Sequence, residues 1–340
     1  SSRNTAQATA PDDAPGDEQQ PAQQAEEPAE TTQGKSGPSP GFPDNFHDNW
    51  PTFRGTGGYG IAPEVTPPTD WDGPSGKGIR WKTNVPLHGM NSPIVWDSRV
   101  FLSGAGKEQE IIYCFNADTG ALRWKTDVSG LPGSPDTPPE VTPDTGYAAP
   151  TMATDGKKVY AIFATGDVVA LDFDGNQVWG KNIGVPDNHY GHSSSLLTYR
   201  DRLLIQYDHF GGSELKALST KDGSVLWEEV RAVDISWASP VLVRTGKRMQ
   251  LVLTANPLVA AYDPISGDEL CTSECMSGEV GPSPAYSADR FFVANQYASA
   301  VGLGADNGEV VWQITDAELP DAASPVATEK YVFMTSSYGI

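Results

Sequence analysis

The sequence has no long hydrophobic run and very little cysteine. No stretch of about 18 consecutive apolar residues occurs, so no membrane-spanning helix is predicted. The three cysteines form no CxxC pair and have no metal-ligand spacing. Cys114 lies in an apolar run, where a buried, inert thiol is expected. Cys271 and Cys275 are close enough in sequence for a local disulfide, and two free thiols are the alternative.

Positive charge is also scarce. The chain has 23 Lys and Arg residues against 44 Asp and Glu residues, which gives a formal net charge of -21. Such a chain repels the phosphates of nucleic acids and anionic lipid headgroups, so neither a nucleic-acid partner nor adsorption to a charged membrane surface is predicted. The sequence begins with Ser1 and has no signal peptide, which indicates a processed or trimmed product.

Apolar side chains are missing from the first part of the chain. Residues 1–41 contain no Ile, Leu, Val, Met or aromatic residue. Such a segment cannot bury enough surface to offset the loss of chain entropy, so a disordered, acidic Pro/Ala/Gln-rich spacer is predicted for 1–41. Trp50, Phe53 and Trp71 then appear within residues 42–77, where we predict a lead-in segment that packs on the following domain.

The sequence from about residue 78 onward is repetitive. Its first landmark is a Gly-containing turn followed by a short strand that ends in Trp, or once in Cys. Copies of this landmark end at Trp81, Trp124, Trp179, Trp227, Cys271 and Trp312. Their spacing of 41 to 55 residues is typical of a propeller blade made of four short antiparallel strands. A helical solenoid is disfavoured because each Gly and Pro in a helix would cost about 1 and 3 kcal/mol.

A second landmark, Ser-Pro or a close variant, opens each unit. Its copies are Ser92-Pro93, Ala149-Pro150, Ser194-Ser195, Ser239-Pro240, Ser283-Pro284 and Ser324-Pro325. Runs of strand length with Asp/Gly turns separate the two landmarks in every unit. The predicted fold class is therefore all-β: a β-propeller of four-stranded antiparallel blades over 78–340, with each Trp packed between neighbouring sheets.

The Ala-Leu-Asp, Thr-Gly and Trp pattern resembles the PQQ-like (quinoprotein-like, BamB-like) β-propeller repeat, over roughly residues 78–340. The lead-in segment Trp50-Pro51-Thr52-Phe53-Arg54-Gly55 is similar to the N-terminal lead of exported planctomycete-type members. The resemblance implies a ring of seven or eight blades. Five complete units and the first two strands of a sixth occur here, so the propeller is expected to be incomplete at its C-terminal end.

The resemblance covers two classes of protein. Quinoprotein dehydrogenases oxidise alcohols or sugars with PQQ and calcium, and they share a vicinal Cys-Cys disulfide, a Trp below the cofactor and acidic or Asn calcium ligands. This sequence has no adjacent cysteines, and no residue can be assigned to a PQQ site. We therefore predict a non-catalytic scaffold for protein interaction or ligand binding, without a cofactor. A PQQ- and calcium-dependent dehydrogenase completed by blades outside this chain is the alternative, and a carbohydrate-binding propeller is a third interpretation.

Polar and aromatic residues before the innermost strands are the candidate site. The predicted channel-mouth contact residues are His88, Asp187, His189, Tyr190, His192, Asp208, His209 and Trp237. Loops at this position face the axial channel, where propellers hold partners or ligands. Two His and one Asp could also bind a metal or act as acid and base, but loop spacings do not define such a geometry, so no catalytic or metal residue is assigned. The stretch 55–60 lacks the Lys-Ser/Thr of a phosphate loop and is interpreted as a flexible connector.

The predicted location follows from the resemblance and from the acidic spacer. BamB-type relatives are lipoproteins of the cell envelope, and low-complexity spacers often join a lipid anchor to a folded domain. We therefore expect an exported bacterial protein of the periplasm or cell envelope, with a lipid anchor preceding residue 1. Its expected partners are other envelope proteins or a small ligand at the propeller face.

Overall fold

The structure is a computed structural model, and it describes residues 41–43, 45–62, 66–246, 248–336 and 339. The predicted spacer therefore lies outside the described residues except for Gly41. Two single-turn 3-10 helices, Phe46–Asp48 and Thr56–Gly58, precede 22 short β-strands. No helix in the described ranges is long and apolar enough to cross a membrane.

The strands form five consecutive four-stranded sheets and a final hairpin, all antiparallel and in chain order. Blade 1 contains β1 (Ile94–Trp96), β2 (Arg99–Ala105), β3 (Glu110–Asn116) and β4 (Leu122–Asp127). Blade 2 contains β5 (Ala153–Thr154), β6 (Lys158–Ile162), β7 (Asp167–Asp172) and β8 (Gln177–Asn182). Blade 3 contains β9 (Leu197–Tyr199), β10 (Arg202–Tyr207), β11 (Ser213–Ser219) and β12 (Val225–Arg231). Blade 4 contains β13 (Val241–Thr245), β14 (Arg248–Thr254), β15 (Leu258–Tyr262) and β16 (Glu269–Glu274). Blade 5 contains β17 (Ala285–Ser287), β18 (Arg290–Ala294), β19 (Ala300–Gly304) and β20 (Val310–Ile314). The hairpin contains β21 (Val326–Ala327) and β22 (Val332–Phe333).

Burial shows how the sheets are oriented. The first strands of neighbouring blades contact one another, as β1 with β5, β5 with β9, and β17 with β21 do. The third strands are almost wholly buried, whereas fourth strands such as β4 are mostly exposed. First strands therefore surround a common axis and fourth strands form the rim. The predicted all-β propeller is confirmed, with five complete blades and half of a sixth.

The two sequence landmarks meet between blades. The Trp124 indole N–H donates to the carbonyl of Phe173 in blade 2 (2.9 Å), and its ring covers Gly175. A Cβ atom at Gly175 would lie 2.8 Å from that ring, so the turn of each blade needs Gly to receive the Trp of the preceding blade. The predicted packing of the tryptophans between neighbouring sheets is confirmed. Cys271 takes this place against Gly308.

All three cysteines are free thiols. Cys114 is fully buried in β3, and burial raises the pKa of its thiol to about 11, which keeps it unreactive at neutral pH. This agrees with the expectation for an inert core thiol. Cys271 and Cys275 are half-buried and not bonded to each other. Burial raises the pKa of the Cys275 thiol to about 11 as well.

A ladder of hydroxyl groups joins the blades near the axis. At the opening of each blade, one backbone N–H donates to the hydroxyl of the equivalent residue in the next blade, at 2.9 to 3.1 Å. The residues in the ladder are Ser92, Thr151, Ser195, Ser239, Ser283 and Ser324. In blade 2 the ladder residue is Thr151 and not the aligned Ala149, which has no hydroxyl group.

Replacing Ser239 with Ala tests the ladder. The substitution leaves the buried N–H of Ser195 without its acceptor, which should lower the free energy of unfolding by about 1–3 kcal/mol. Urea unfolding followed by tryptophan fluorescence measures the loss. Ser239→Thr keeps the hydroxyl, as Thr151 does in blade 2, and should retain most of the stability. An equal loss in both variants would contradict the role assigned to the hydrogen bond.

The lead-in segment closes one end of the axial channel. Trp50 pairs with Val95 of blade 1 (3.0 and 2.8 Å), and the Pro51 carbonyl accepts from the Thr154 N–H of blade 2 (2.9 Å). Further bonds reach the first strand of blade 4 and the residues just before the first strands of the other units: Tyr59 to Leu242, Thr52 to Leu196, and Arg54 to Pro284 and Pro325. The segment 50–59 thus contacts all six units.

The glycine-rich stretch within this segment differs from the flexible connector expected. Gly55 and Gly57 have positive φ angles of 76° and 70° and are buried. Added Cβ atoms would lie 2.6 Å from the Trp50 ring and 2.8 Å from the Leu242 carbonyl oxygen, respectively. Glycine is needed for this close approach, so the stretch is a tightly packed turn.

Candidate functional site

The predicted contact residues lie at the open end of the channel. We call this end of the blades the mouth face; it carries the loops that lead into the first strands, at 128–152, 183–196, 232–240, 275–284 and 315–325. It also carries the loops between second and third strands. The first strand of each blade runs away from this face and the antiparallel second strand returns to it. Seven of the eight predicted residues fall in three loops of blades 3 and 4, and His88 precedes blade 1.

Three of the predicted residues form an aromatic cluster in which His189 is exposed and Tyr190 and Trp237 are half-buried. The His189 ring centroid lies 4.0 Å from that of Tyr190 and 5.4 Å from that of Trp237, and the Tyr190 and Trp237 rings are 5.0 Å apart. Phe210, which is 59% exposed, stacks on His189 at 5.7 Å. We call His189, Tyr190, Phe210 and Trp237 the aromatic patch.

Two polar residues that were not among the predicted contacts hold this patch in place. The buried Asn188 side chain accepts the indole N–H of Trp237 (3.0 Å) and the backbone N–H of Gly191 (3.1 Å). Glu279 of the next loop accepts the Tyr190 hydroxyl (3.2 Å), and its negative charge raises the pKa of Tyr190. Glu279 lies 89 residues from Tyr190 in sequence, so no local pattern could identify it.

His192 points away from the patch and into the protein. Its side chain is 1% exposed and packs on Tyr207, with ring centroids 5.1 Å apart. Its Nε2 atom has no hydrogen-bond partner among the described residues. Burial, with a smaller contribution from His209, lowers the pKa of His192 to about 3, so the ring is neutral at physiological pH.

His192 should make the protein acid-sensitive. Below pH 6.5 the unfolded chain binds a proton at this residue that the folded chain does not bind. His192 therefore does not reduce the free energy of unfolding above that pH, but reduces it increasingly as the pH falls towards 3. At pH 5 the loss should be about 2 kcal/mol relative to pH 7. Comparing urea unfolding of the native protein and of His192→Phe at both pH values isolates this residue. The same pH dependence in both proteins would contradict the prediction.

The remaining predicted residues do not join the patch through their side chains. Asp208 is buried and forms an ion pair with Arg231, with both side chains fully shielded from solvent. His209 is half-buried, its Nδ1 accepts the Gly211 N–H (3.1 Å), and burial lowers the pKa of its ring. Asp187 is exposed, and its carbonyl accepts the Phe210 N–H (3.0 Å).

His88 is separate from these residues. It is exposed at the start of blade 1, and its carbonyl accepts the Ala105 N–H (2.9 Å). The structure thus unites only His189, Tyr190 and Trp237 of the predicted set at one surface. Within the described residues, no group of three or more His, Cys, Asp or Glu side chains could hold a metal ion.

An axial cavity of about 260 Å³ lies beside the patch. Phe53 of the lead-in segment lines it together with the ladder hydroxyls, and Trp237 belongs to both the patch and the cavity wall. Each ladder hydroxyl oxygen in the lining accepts a backbone N–H of the preceding blade, whereas the Ser193 hydroxyl, which also lines the cavity, donates to the Trp237 carbonyl (3.1 Å). Asp144 contributes the carboxyl group that lines this cavity. The mouth face therefore combines a partly exposed aromatic patch with a small hydroxyl-lined recess.

A buried pair of carboxyl groups between blades 1 and 2 was not predicted. Glu110 accepts the Thr165 hydroxyl (2.6 Å), while Asp167 accepts the Ser134 hydroxyl (2.6 Å) and the Asn182 amide (2.7 Å). Burial, and then the neighbouring charge of Asp167, raise the pKa of Glu110 to about 8. Glu110 is therefore mostly protonated at neutral pH, which avoids placing two buried negative charges side by side.

Comparison with known proteins agrees with this architecture. A family model described as outer membrane protein assembly factor BamB matches residues 69–204 and 255–339, which is more than half of the chain. The solved structure of BamB from Moraxella catarrhalis is similar with a TM-score of 0.52 and 19% identity, over 76% of this chain and 73% of that chain. No curated protein sequence matches the chain.

Two quinohemoprotein alcohol dehydrogenases are also similar in structure. The enzyme from Comamonas testosteroni has a TM-score of 0.52 and 14% identity over 67% of this chain, and ADHIIG from Pseudomonas putida HK5 has 0.51 and 12% over 69%. The match covers 43% of each dehydrogenase. At such identities these likenesses show the fold alone. The family match and the five confirmed repeats together establish that this chain belongs to the BamB-type family of PQQ-like β-propellers.

Proposed function

We propose that this protein is a non-catalytic scaffold of the bacterial cell envelope that holds a partner protein on its mouth face. The observation that carries the proposal is the aromatic patch, in which His189, Tyr190, Phe210 and Trp237 are grouped at the surface. The family description, which names the assembly of outer membrane proteins, supports an envelope location and a role in interaction rather than in chemistry.

The patch has the properties of a binding hot spot. Tyr and Trp bury a large area with few rotatable bonds, and they are enriched at the centres of protein interfaces. Asn188 and Glu279 orient Trp237 and Tyr190 before any partner arrives, which reduces the entropy lost on binding. Glu279 is 49% exposed and borders the patch, so the fitting partner segment carries an apolar or aromatic anchor next to a Lys or Arg.

Capture of envelope proteins by the purified full chain tests the proposal. Immobilised protein is cross-linked to a solubilised envelope fraction, a captured partner is identified by mass spectrometry, and its affinity is then measured with purified components. Trp237→Ala should weaken binding about 30-fold, the effect of a typical hot-spot residue. Trp71→Ala removes an indole that is 62% exposed outside the patch and should leave binding unchanged. Equal affinities for the native protein and Trp237→Ala would refute the assignment of the patch.

Dehydrogenase activity is the competing function, favoured by the fold shared with the two quinohemoprotein enzymes. The residues around the axial cavity do not fit a quinone with calcium. Calcium takes six to eight oxygen ligands with several carboxylates. The cavity lining provides one carboxyl group, that of Asp144, and hydroxyl groups, five of which already accept a backbone N–H. Adding PQQ with calcium tests this function directly: a quinone absorbance band with dye-linked alcohol oxidation would overturn the scaffold proposal.

A further inference from the structure

Three arginines gather at the end of the blades opposite the mouth face. Arg200 lies in the turn between β9 and β10, and Arg244 and Arg248 flank the turn between β13 and β14. Turns between first and second strands lie at the other end of each sheet from the mouth loops. All three side chains are exposed, and they line one cleft of about 210 Å³ with Tyr199 and Met249.

These guanidinium groups have no carboxylate partner among the described residues. None of the ion pairs within 4.0 Å involves Arg200, Arg244 or Arg248. Arg200 stacks over the Tyr199 ring at 5.4 Å, and Arg248 donates to the Asp306 carbonyl at 3.4 Å. Acidic residues outnumber basic ones almost two to one in this chain, so three unpaired arginines in one cleft are an unusual local excess.

One carboxylate also lines this cleft. Asp263 accepts the backbone N–H groups of Ile265 (2.7 Å) and Ser266 (3.3 Å), so it is engaged in its own turn. Three arginines and one aspartate therefore line the cleft. The net charge of -21 opposes adsorption to a charged surface, but charges beyond about 8–10 Å are largely screened at physiological salt. The three arginines thus dominate the potential within the cleft.

An apolar groove continues from the arginine cleft. It has a volume of about 230 Å³ and is lined by Phe42, Tyr59, Ile61 and Leu242, among others. Arg244 and Met249 line both spaces, so the two are adjacent. A charged recess and an apolar groove that share a wall match a ligand with an anionic group at one end and a hydrocarbon chain at the other.

We propose that this surface binds a single lipid-like molecule with a phosphate head group. The head group is held by Arg200, Arg244 and Arg248, since guanidinium groups bind phosphate oxygens through paired hydrogen bonds. The alkyl chain lies in the groove against Ile61 and Leu242, where it leaves water. The site is independent of the aromatic patch because it lies at the opposite end of the blades.

Titration calorimetry of the full chain with monomeric decyl phosphate tests the proposal. Decyl phosphate should bind at least about tenfold more tightly than inorganic phosphate, which lacks the chain, and than decanol, which lacks the charge. The double variant Arg244→Glu/Arg248→Glu should weaken decyl phosphate binding at least about tenfold. Arg290→Glu changes an exposed arginine that does not line the cleft and should have no effect.

A substitution in the apolar groove distinguishes binding of the alkyl chain from binding of the phosphate group. Ile61→Asn makes the groove more polar without adding charge near Arg244, so it should remove most of the preference for decyl phosphate over inorganic phosphate while leaving phosphate binding unchanged. Trp237→Ala should bind decyl phosphate normally, so failure here would leave the scaffold proposal intact. Equal binding of decyl phosphate and inorganic phosphate, or full binding by the double arginine variant, would overturn the proposal.

Discussion

Replacing Asp208 with Asn is expected to destabilise the fold by about 3–5 kcal/mol, because it leaves the buried charge of Arg231 unpaired. Both side chains are completely shielded from solvent. Asp208 also accepts the Gln206 amide (2.7 Å), and Arg231 donates to the Tyr262 hydroxyl (3.3 Å) and lies over its ring. Removing one partner of such a pair is costly because the remaining ion cannot be solvated.

The measurement is urea unfolding at neutral pH, monitored by tryptophan fluorescence. The double variant Asp208→Asn/Arg231→Met removes both charges and should recover much of the lost stability. Asp70→Asn breaks an ion pair between two exposed side chains, Asp70 and Lys77, and should have little effect. If Asp208→Asn unfolds at the same urea concentration as the native protein, the pair does not have the structural role inferred here.

Replacing Trp179 with Ala should cost a similar amount, about 3–5 kcal/mol. Trp179 is 8% exposed and fills the space between blades 2 and 3. Its ring lies 6.0 Å from Tyr160 and covers Gly223, and its indole N–H donates to the Thr220 carbonyl (3.2 Å). Alanine would leave a cavity between the two sheets and would leave the Thr220 carbonyl with only the longer hydrogen bond from the Tyr160 hydroxyl (3.5 Å), so packing and hydrogen bonding are lost together.

Two further variants identify which contribution dominates. Trp179→Phe keeps most of the ring but not the N–H donor, and it should lose clearly less stability than Trp179→Ala. Trp71→Ala deletes an exposed indole and should leave stability nearly unchanged. The prediction is contradicted if urea unfolding places Trp179→Ala within about 1 kcal/mol of Trp71→Ala, an ordinary effect for a surface substitution.

The blades were predictable because their signals are local. A turn with Gly before Trp124 or Trp227 and the alternation of short strands repeat within each unit, and both are visible in any single stretch of chain. The packing of the tryptophans between neighbouring sheets followed from their constant position in the repeat unit. The hydroxyl ladder was harder to predict from the sequence. Ala149 fits the Ser-Pro pattern, yet Thr151 makes the hydrogen bond, because only the packed structure shows which position faces the next blade.

The candidate site was predictable only as a region. His189, Tyr190 and His192 lie within four residues, but the first two are at the surface and the third is buried against Tyr207. Side-chain direction in an irregular loop depends on contacts with neighbouring blades, and no periodicity encodes it. Glu279 joins the site from a distant loop for the same reason.

The amino-acid sequence by itself determined the architecture: an all-β propeller, about six units long here, with aromatic wedges between sheets. Repetition made this possible, because each blade is a local unit that cannot bury its faces without its neighbours. Only the tertiary structure decided which polar residues are exposed and which are buried. It placed Asp208 against Arg231, carried the lead-in segment across the axis, and brought three arginines from two different blades to one cleft. Those outcomes depend on long-range packing between blades, where residues far apart in the chain share one space.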